Sequence, residues 1–457
     1  NVFAYCTNLE MMVLSSGLKS IGQGAFIGCE KLKAISLPSG LTYIGPVAFE
    51  GCISLKSLTI PSGVTSIESG TFKDCTSLSN IYFHNGLTKI GEAAFTSCES
   101  LTSIELPPGL TSIGDWAFAY CFNLTSILIP QHVSEIGDYA LLGCLSVTGF
   151  NVDVNNNHFV AEDGVLFNKP MTSLLAYPVA KGDLNYDIPN GVTDIRHGAF
   201  AFCSQLDITI PGSVTVIGDW AFAYCESLTS KALPSGLTSI GDYAFANCES
   251  LTNIALPAGI TSIGAWVFSS CFNLTNISLP SGLTSIGDYA FSGCSSLTST
   301  SLPPGLTSIG NYAFSGCSSL TNMALPSGVT EIKEGTFSHC RSLTSISLPP
   351  GLTSIGVYAF SNCTALNDIT FPAGLYDIGE EAFSYCESLW EINIPESVTY
   401  IGDLAFSYCT NLRRVIITDF IFIGDDAFIA CDELTIIGFE DSFAESYANY
   451  YSIPFLS

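Results

Sequence analysis

The chain has 457 residues, 47% of them apolar, with 41 acidic side chains against 14 basic ones and a formal charge of −27. A polyanion of that strength excludes the phosphate backbone of nucleic acid and anionic membrane surfaces as partners, and suits a cationic or neutral one. No apolar run reaches the ~18 residues that a membrane span needs, and the prior of about three globular domains for this length gives way to an internal repeat.

Cysteine marks the repeat. Cys6, Cys29, Cys52, Cys75, Cys98, Cys121 and Cys144 are each 23 residues apart, and the same step runs from Cys225 to Cys409. Cys203 and Cys431 stand 22 residues from a neighbour, so two repeats are one residue short. A short repeat cannot bury its apolar side alone, so fixed-period self-similarity predicts a solenoid with one continuous core. One cysteine per repeat, always in the same slot, fits a ladder of free buried thiols better than a disulfide framework. No CxxC pair and no Cys/His cluster is present, so neither zinc nor any other cofactor is expected.

Within a unit, Leu101, Ile104 and Leu106 follow Cys98 at three, six and eight residues, with Ser and Thr between them. That alternation predicts a β-strand, stopped by a Pro such as Pro107 and followed by a Gly such as Gly109 at the reversal. A second short extended segment carries Leu110 and Ile113 inward. The remainder reads Gly-acid-aromatic-Ala-Phe-x-x-Cys, and an acid before a short apolar pattern predicts the N-cap of a helical turn. Asp115, Asp138, Asp242, Asp288 and Asp403 are examples of that acid, and His197 takes the same slot. The Phe recurs in seventeen of eighteen units, with Leu141 the exception, and reads as a stacked core ladder. The aromatic stripe Trp116, Tyr139, Trp220, Tyr243, Trp266, Tyr289 and Tyr312 reads as packing between repeats.

The pattern Ala-Phe-x-x-Cys-x-x-Leu-x-x-Ile-x-Leu-Pro-x-Gly-Leu-x-x-Ile-Gly resembles the BspA-type leucine-rich repeat, over almost the whole chain. The resemblance implies a solenoid of about eighteen 23-residue repeats, with a parallel concave β-sheet of short strands and helical turns on the other side. It also implies an extracellular protein, secreted or anchored to the cell surface, that binds a protein or glycoprotein of a host or of the extracellular matrix. The family has no catalytic residues to transfer.

In chain order, residues 1–150 hold the first set of repeats. They open in mid-repeat on Asn1 rather than Met, so a natural N-terminus with any targeting signal is expected upstream. Residues 151–186 are an insertion, since Cys203 follows Cys144 at 59 residues. Two apolar runs, 163–168 and 172–178, flank Lys169-Pro-Met171 and predict a β-hairpin. This stretch resembles an insertion of bacterial family members and reads as a structural spacer before a contact surface. Residues 187–440 resume the repeats. In 441–457, Ser442 with Glu445 forms a capping-box pattern, and apolar residues at 443, 444, 447 and 448 predict a capping helix with an inward face.

The five histidines fall at different phases of the repeat and none stands beside a credible nucleophile, so an enzyme is not expected. Candidate partner-binding residues are sought where outward strand positions depart from Ser, Thr and Asn. Trp390, Glu391, Arg413 and Arg414 lie in adjacent units and predict one cluster, an aromatic beside two arginines; the plainer reading is a solvated Glu–Arg pair. Tyr82 and Glu105 are lesser candidates. Lys231 takes an inward slot where Ile is usual. The functional expectation is an adhesin-like binding protein; the alternative is a structural spacer presenting another domain, and an enzyme ranks last.

Overall fold

Most repeats lay down two short strands in which one side chain in two points inward. A three-residue strand such as Asn253–Ala255 or Ser345–Ser347 buries its central residue and exposes its ends. A two-residue strand such as Ser285–Ile286 buries only the Ile. Strands pair in parallel with their copies one repeat on, Asn253 opposite Asn276 and Ser285 opposite Ser308. The result is a parallel β-solenoid of about 19 turns. The computed structural model describes residues 2–230, 232–417 and 421–457, so Lys231 lies outside the described residues. The chain divides into two units, Asn1–Leu206 with Val216–Ala223, and Asp207–Thr215 with Tyr224–Ser457.

The segment read as a helical turn is not helix. Two residues in each such turn have a left-handed backbone, as at Trp116 (φ 58°) and Tyr120 (φ 59°), and two left-handed residues four apart interrupt any α-helix. Their conformation aims alternate N–H groups along the stack. Trp116, Phe118 and Tyr120 donate to the carbonyls of Asp138, Ala140 and Leu142 in the next turn, at 2.9, 2.8 and 2.7 Å. The acid before them is therefore no N-cap. Asp115 Oδ1 accepts from the N–H of Asp138 (2.8 Å), and Asp288 Oδ1 from that of Asn311 (2.7 Å). His197, in the acid slot, accepts the N–H of Asp219 through Nδ1 at 3.0 Å.

Glycine sets the spacing of turns rather than their reversal. A Cβ on Gly114 would lie 2.6 Å from the Glu92 nitrogen of the preceding turn, and one on Gly63 would lie 2.6 Å from the Leu41 carbonyl. Inside, the Phe rings stack face to face, with Phe26 and Phe49 at 5.3 Å and Phe383 and Phe406 at 5.1 Å between centroids. Among the described residues no cysteine is in a disulfide, and all but Cys6 are buried. Each thiol along the regular stretches donates to a Phe carbonyl of the turn before, Cys52 Sγ to Phe26 at 3.2 Å and Cys363 Sγ to Phe337 at 3.1 Å. Burial pushes the Cys52 thiol up to about 12.

The insertion rejoins the solenoid. Val165–Asn168 runs antiparallel to Ser173–Ala176, and Phe159–Glu162 adds a further antiparallel strand ahead of them. Ser173–Ala176 then pairs in parallel with Asp194–Ile195, and Tyr177 stacks on Phe200 at 5.4 Å. Asn156 anchors the entry: its buried amide donates to Pro130 and Val133 carbonyls and accepts from His158 and Phe159 N–H groups, all within 2.9 Å.

At the far end, Phe443–Tyr451 is an α-helix capped by Ser442 Oγ, which accepts from Glu445 N–H at 3.1 Å. Ala444 and Ala448 face inward as expected, with Tyr447 partly buried against Phe428, but Phe443 is exposed. Phe455–Leu456 then extends the strand ladder beside Thr435–Gly438.

Candidate interaction face

The outward positions of the three-residue strands are mostly Ser, Thr, Asn and Ala, and much of their hydrogen-bonding capacity is used within the chain. Thr275 Oγ1 donates to the Thr252 carbonyl at 2.9 Å and Thr344 Oγ1 to Thr321 at 3.0 Å, one repeat back in each case. A face of this kind is solvated and uniform, so exceptions stand out.

The fullest exception is built from two successive turns. Trp390 is half exposed at the start of Glu391–Ile394, and the Arg413 guanidinium lies over its ring, 4.8 Å from the centroid. The main chain holds this pair in register, since Arg413 N–H donates to the Trp390 carbonyl at 2.9 Å. Arg413 also forms an ion pair with Glu433 of the following turn, while its Nε is buried without an acceptor. Glu391 stands directly opposite Arg414, and their side chains meet at 3.4 Å. The four residues predicted as a cluster are thus one contiguous patch. It is an exposed Glu–Arg pair, a contact worth ~0–1 kcal/mol, beside a cation–π stack of ~0.5–1 kcal/mol.

Tyr82 is exposed at the end of Asn80–Tyr82, and Glu105 is exposed in the equivalent slot one repeat on, far in sequence from the first patch. Sequence reasoning missed Leu128, exposed in Ser126–Ile129, and the exposed aromatic pair Tyr400 and Phe422 on the two-residue ladder. Tyr400 and Phe422 are register partners with parallel rings 5.6 Å apart. Their signal was available: the outward slot of that strand is usually Ser, as at Ser262, Ser285 and Ser308.

The aromatic stripe on the turn side packs repeat against repeat. Trp266 lies 4.0 Å from Tyr289 with the rings 9° apart, and both are half-buried. His84 is fixed to the main chain at both ring nitrogens, by the Val64 carbonyl (2.8 Å) and Gly86 N–H (3.0 Å). Among the described residues no three His, Cys, Asp or Glu side chains gather as a metal-binding group, and no helix is long and apolar enough to cross a membrane.

A solenoid with paired short strands, a stacked Phe ladder and one buried thiol per turn defines a leucine-rich-repeat protein. The chain belongs to the family described as the BspA type leucine rich repeat region, which matches in six overlapping copies from residue 1 to 169 and from 184 to 453. Two solved structures are similar over most of their length. A leucine-rich repeat protein from Eubacterium ventriosum is 26% identical, with a TM-score of 0.53, covering 82% of this chain and 90% of that one. A leucine rich cell surface protein from Faecalibacterium prausnitzii is 28% identical, with a TM-score of 0.50, covering 74% and 87%. No curated protein matches the chain.

Proposed function

We propose that this chain is a secreted or surface-anchored adhesin-like binding protein that engages a protein or glycoprotein of a host or extracellular matrix through the exposed face of its three-residue strands. The observation that carries the reading is the patch of Trp390, Glu391, Arg413 and Arg414, an aromatic stacked under an arginine on a face made mostly of small polar residues. Aromatic and arginine side chains held rigid at a surface are the usual anchors of protein interfaces. Family membership and the cell-surface relative from F. prausnitzii support the location. The chain's −27 charge favours a partner with a basic or neutral surface. No catalytic step is part of this reading.

The test is surface-immobilised binding to a panel of matrix proteins, mucins and host receptors, alongside a Trp390→Ala/Arg413→Ala/Arg414→Ala variant. Saturable binding that the folded variant loses supports the site. Binding that the variant keeps moves the site elsewhere on the solenoid. The spacer reading gains if no partner in the panel binds.

A further inference from the structure

The acid slot of the turns ends in an exception. Asp115, Asp242, Asp288 and Asp403 each accept, through Oδ1, a main-chain N–H of the following turn, at 2.7 to 2.9 Å. Asp425 is the next acid after Asp403 in that slot, and the helix Phe443–Tyr451 packs beyond it in place of a further turn. The helix hydroxyls of Tyr451 and Tyr447 serve the N–H groups of Asp426 and Phe428. The Asp425 carboxylate is exposed, and among the described residues it accepts no hydrogen bond and joins no ion pair.

That carboxylate lines a cleft of ≈ 270 Å³ between the last turn and the helix. Phe422 lines it from the turn, and Phe443, Tyr447, Tyr450 and Tyr451 line it from the helix. Phe422, Phe443 and Tyr450 are exposed. Tyr400 of the preceding turn lies parallel to Phe422 at 5.6 Å, whereas no helix ring stacks on Phe422 among the described residues. The face of Phe422 turned from Tyr400 is therefore uncovered.

The chain offers this cleft no cation of its own. Residues 421–457 contain seven acids and no Lys, Arg or His. The nearest basic residues in sequence, Arg413 and Arg414, are paired with Glu433 and Glu391 beside the three-residue strands. Ring faces carry negative charge, so five aromatic side chains around an unpaired carboxylate suit a cation. Arginine fits better than lysine, because a planar guanidinium stacks on a ring while its in-plane N–H groups reach a carboxylate.

We propose that this cleft takes an arginine side chain of a protein partner, its guanidinium stacked on Phe422 and donating to Asp425. The exposed rings of Tyr400, Phe443 and Tyr450 then contact the residues that flank the arginine. The site lies on the two-residue ladder and the terminal helix, so it does not depend on the strand-face reading.

The test is calorimetric and ligand-observed NMR titration of the whole chain with the peptide Gly-Gly-Arg-Gly-Gly. Its partners are the same peptide with lysine and with citrulline, which keeps the planar shape and loses the charge. Saturable millimolar or tighter binding of the arginine peptide is expected, with the citrulline peptide weaker by at least about tenfold. Asp425→Asn should weaken the arginine peptide about tenfold, and Tyr450→Ala, at an exposed position, should weaken it severalfold. Glu249→Gln removes an equal charge on a distant turn and should leave binding unchanged, as should Trp390→Ala on the strand face. No binding of the arginine peptide overturns the proposal, and so does citrulline or lysine binding as tightly. An Asp425→Asn variant that binds like the parent overturns it too, as does a loss that Glu249→Gln or Trp390→Ala reproduces.

Discussion

The phenol oxygen of Tyr451 accepts the main-chain N–H of Asp426 at 3.0 Å. Two residues on, Phe428 N–H meets the hydroxyl of Tyr447 at 3.4 Å. In earlier turns the same N–H groups find carbonyls 22 residues ahead, as Phe383 finds Ala405. The terminal helix therefore ends the solenoid by lending two side-chain oxygens where a further turn would have supplied backbone. Tyr451→Phe removes one acceptor and leaves a partly buried N–H orphaned, which costs about 1–3 kcal/mol. Thermal melting of the variant should fall accordingly, and hydrogen exchange should quicken at Asp426 before it does in mid-solenoid. Unchanged exchange there would contradict the capping role.

Thr300 occupies an inward slot that Ile fills in most repeats, and its Oγ1 is buried with no partner. Thr300→Ile removes an unsatisfied hydroxyl and adds apolar contact, so it should stabilise the second unit by about 1 kcal/mol. A chemical-denaturation midpoint that moves down would show that the site cannot admit the added carbon.

Strand positions, period and core were legible in the sequence because each depends on alternation along the chain, as in Leu101, Ile104 and Leu106. The turns were misread for a physical reason. An acid before a short apolar pattern satisfies the local logic of an N-cap, whereas Asp115 is claimed by an N–H one whole repeat away. The roles of Asn156, Tyr447 and Tyr451 were likewise hidden, since their partners are set by stacking and not by neighbours in sequence. The Trp390–Arg413 contact was legible, because the repeat makes residues 23 apart neighbours. The Leu at 141 was visible as an exception to the Phe ladder, but the stacking of Tyr177 on Phe200 depends on where the insertion returns.

Asn156 makes four hydrogen bonds from a buried position, two donated and two accepted. Asn156→Leu leaves carbonyls of Pro130 and Val133 and two N–H groups without these partners, so a loss of about 3 kcal/mol is expected. Limited proteolysis should then cut within 151–186 before elsewhere. Parent-like resistance would contradict the anchoring role.

The thiol ladder sets an alkaline limit. Burial holds Cys52 and Cys340 at about 12 against an ordinary value of 9.0, so folding favours the protonated form. Stability from these thiols is fully present below pH 9 and is lost as pH rises toward 12. Alkaline unfolding should start above pH 9 and be cooperative within each unit. At neutral pH a thiol reagent should modify exposed Cys6 rapidly and the buried thiols only on unfolding. Rapid modification of many cysteines in the folded chain would contradict the closed core.

The most direct measurement of the proposed interaction face is hydrogen exchange on the whole chain with and without a saturating captured partner. Slowed exchange is expected to concentrate in Glu391–Ile394 and Arg414–Ile417, the two strands that begin with Glu391 and Arg414 and are entered from Trp390 and Arg413. Protection confined to the turn side, or to 151–186, with those strands unaffected, would contradict it.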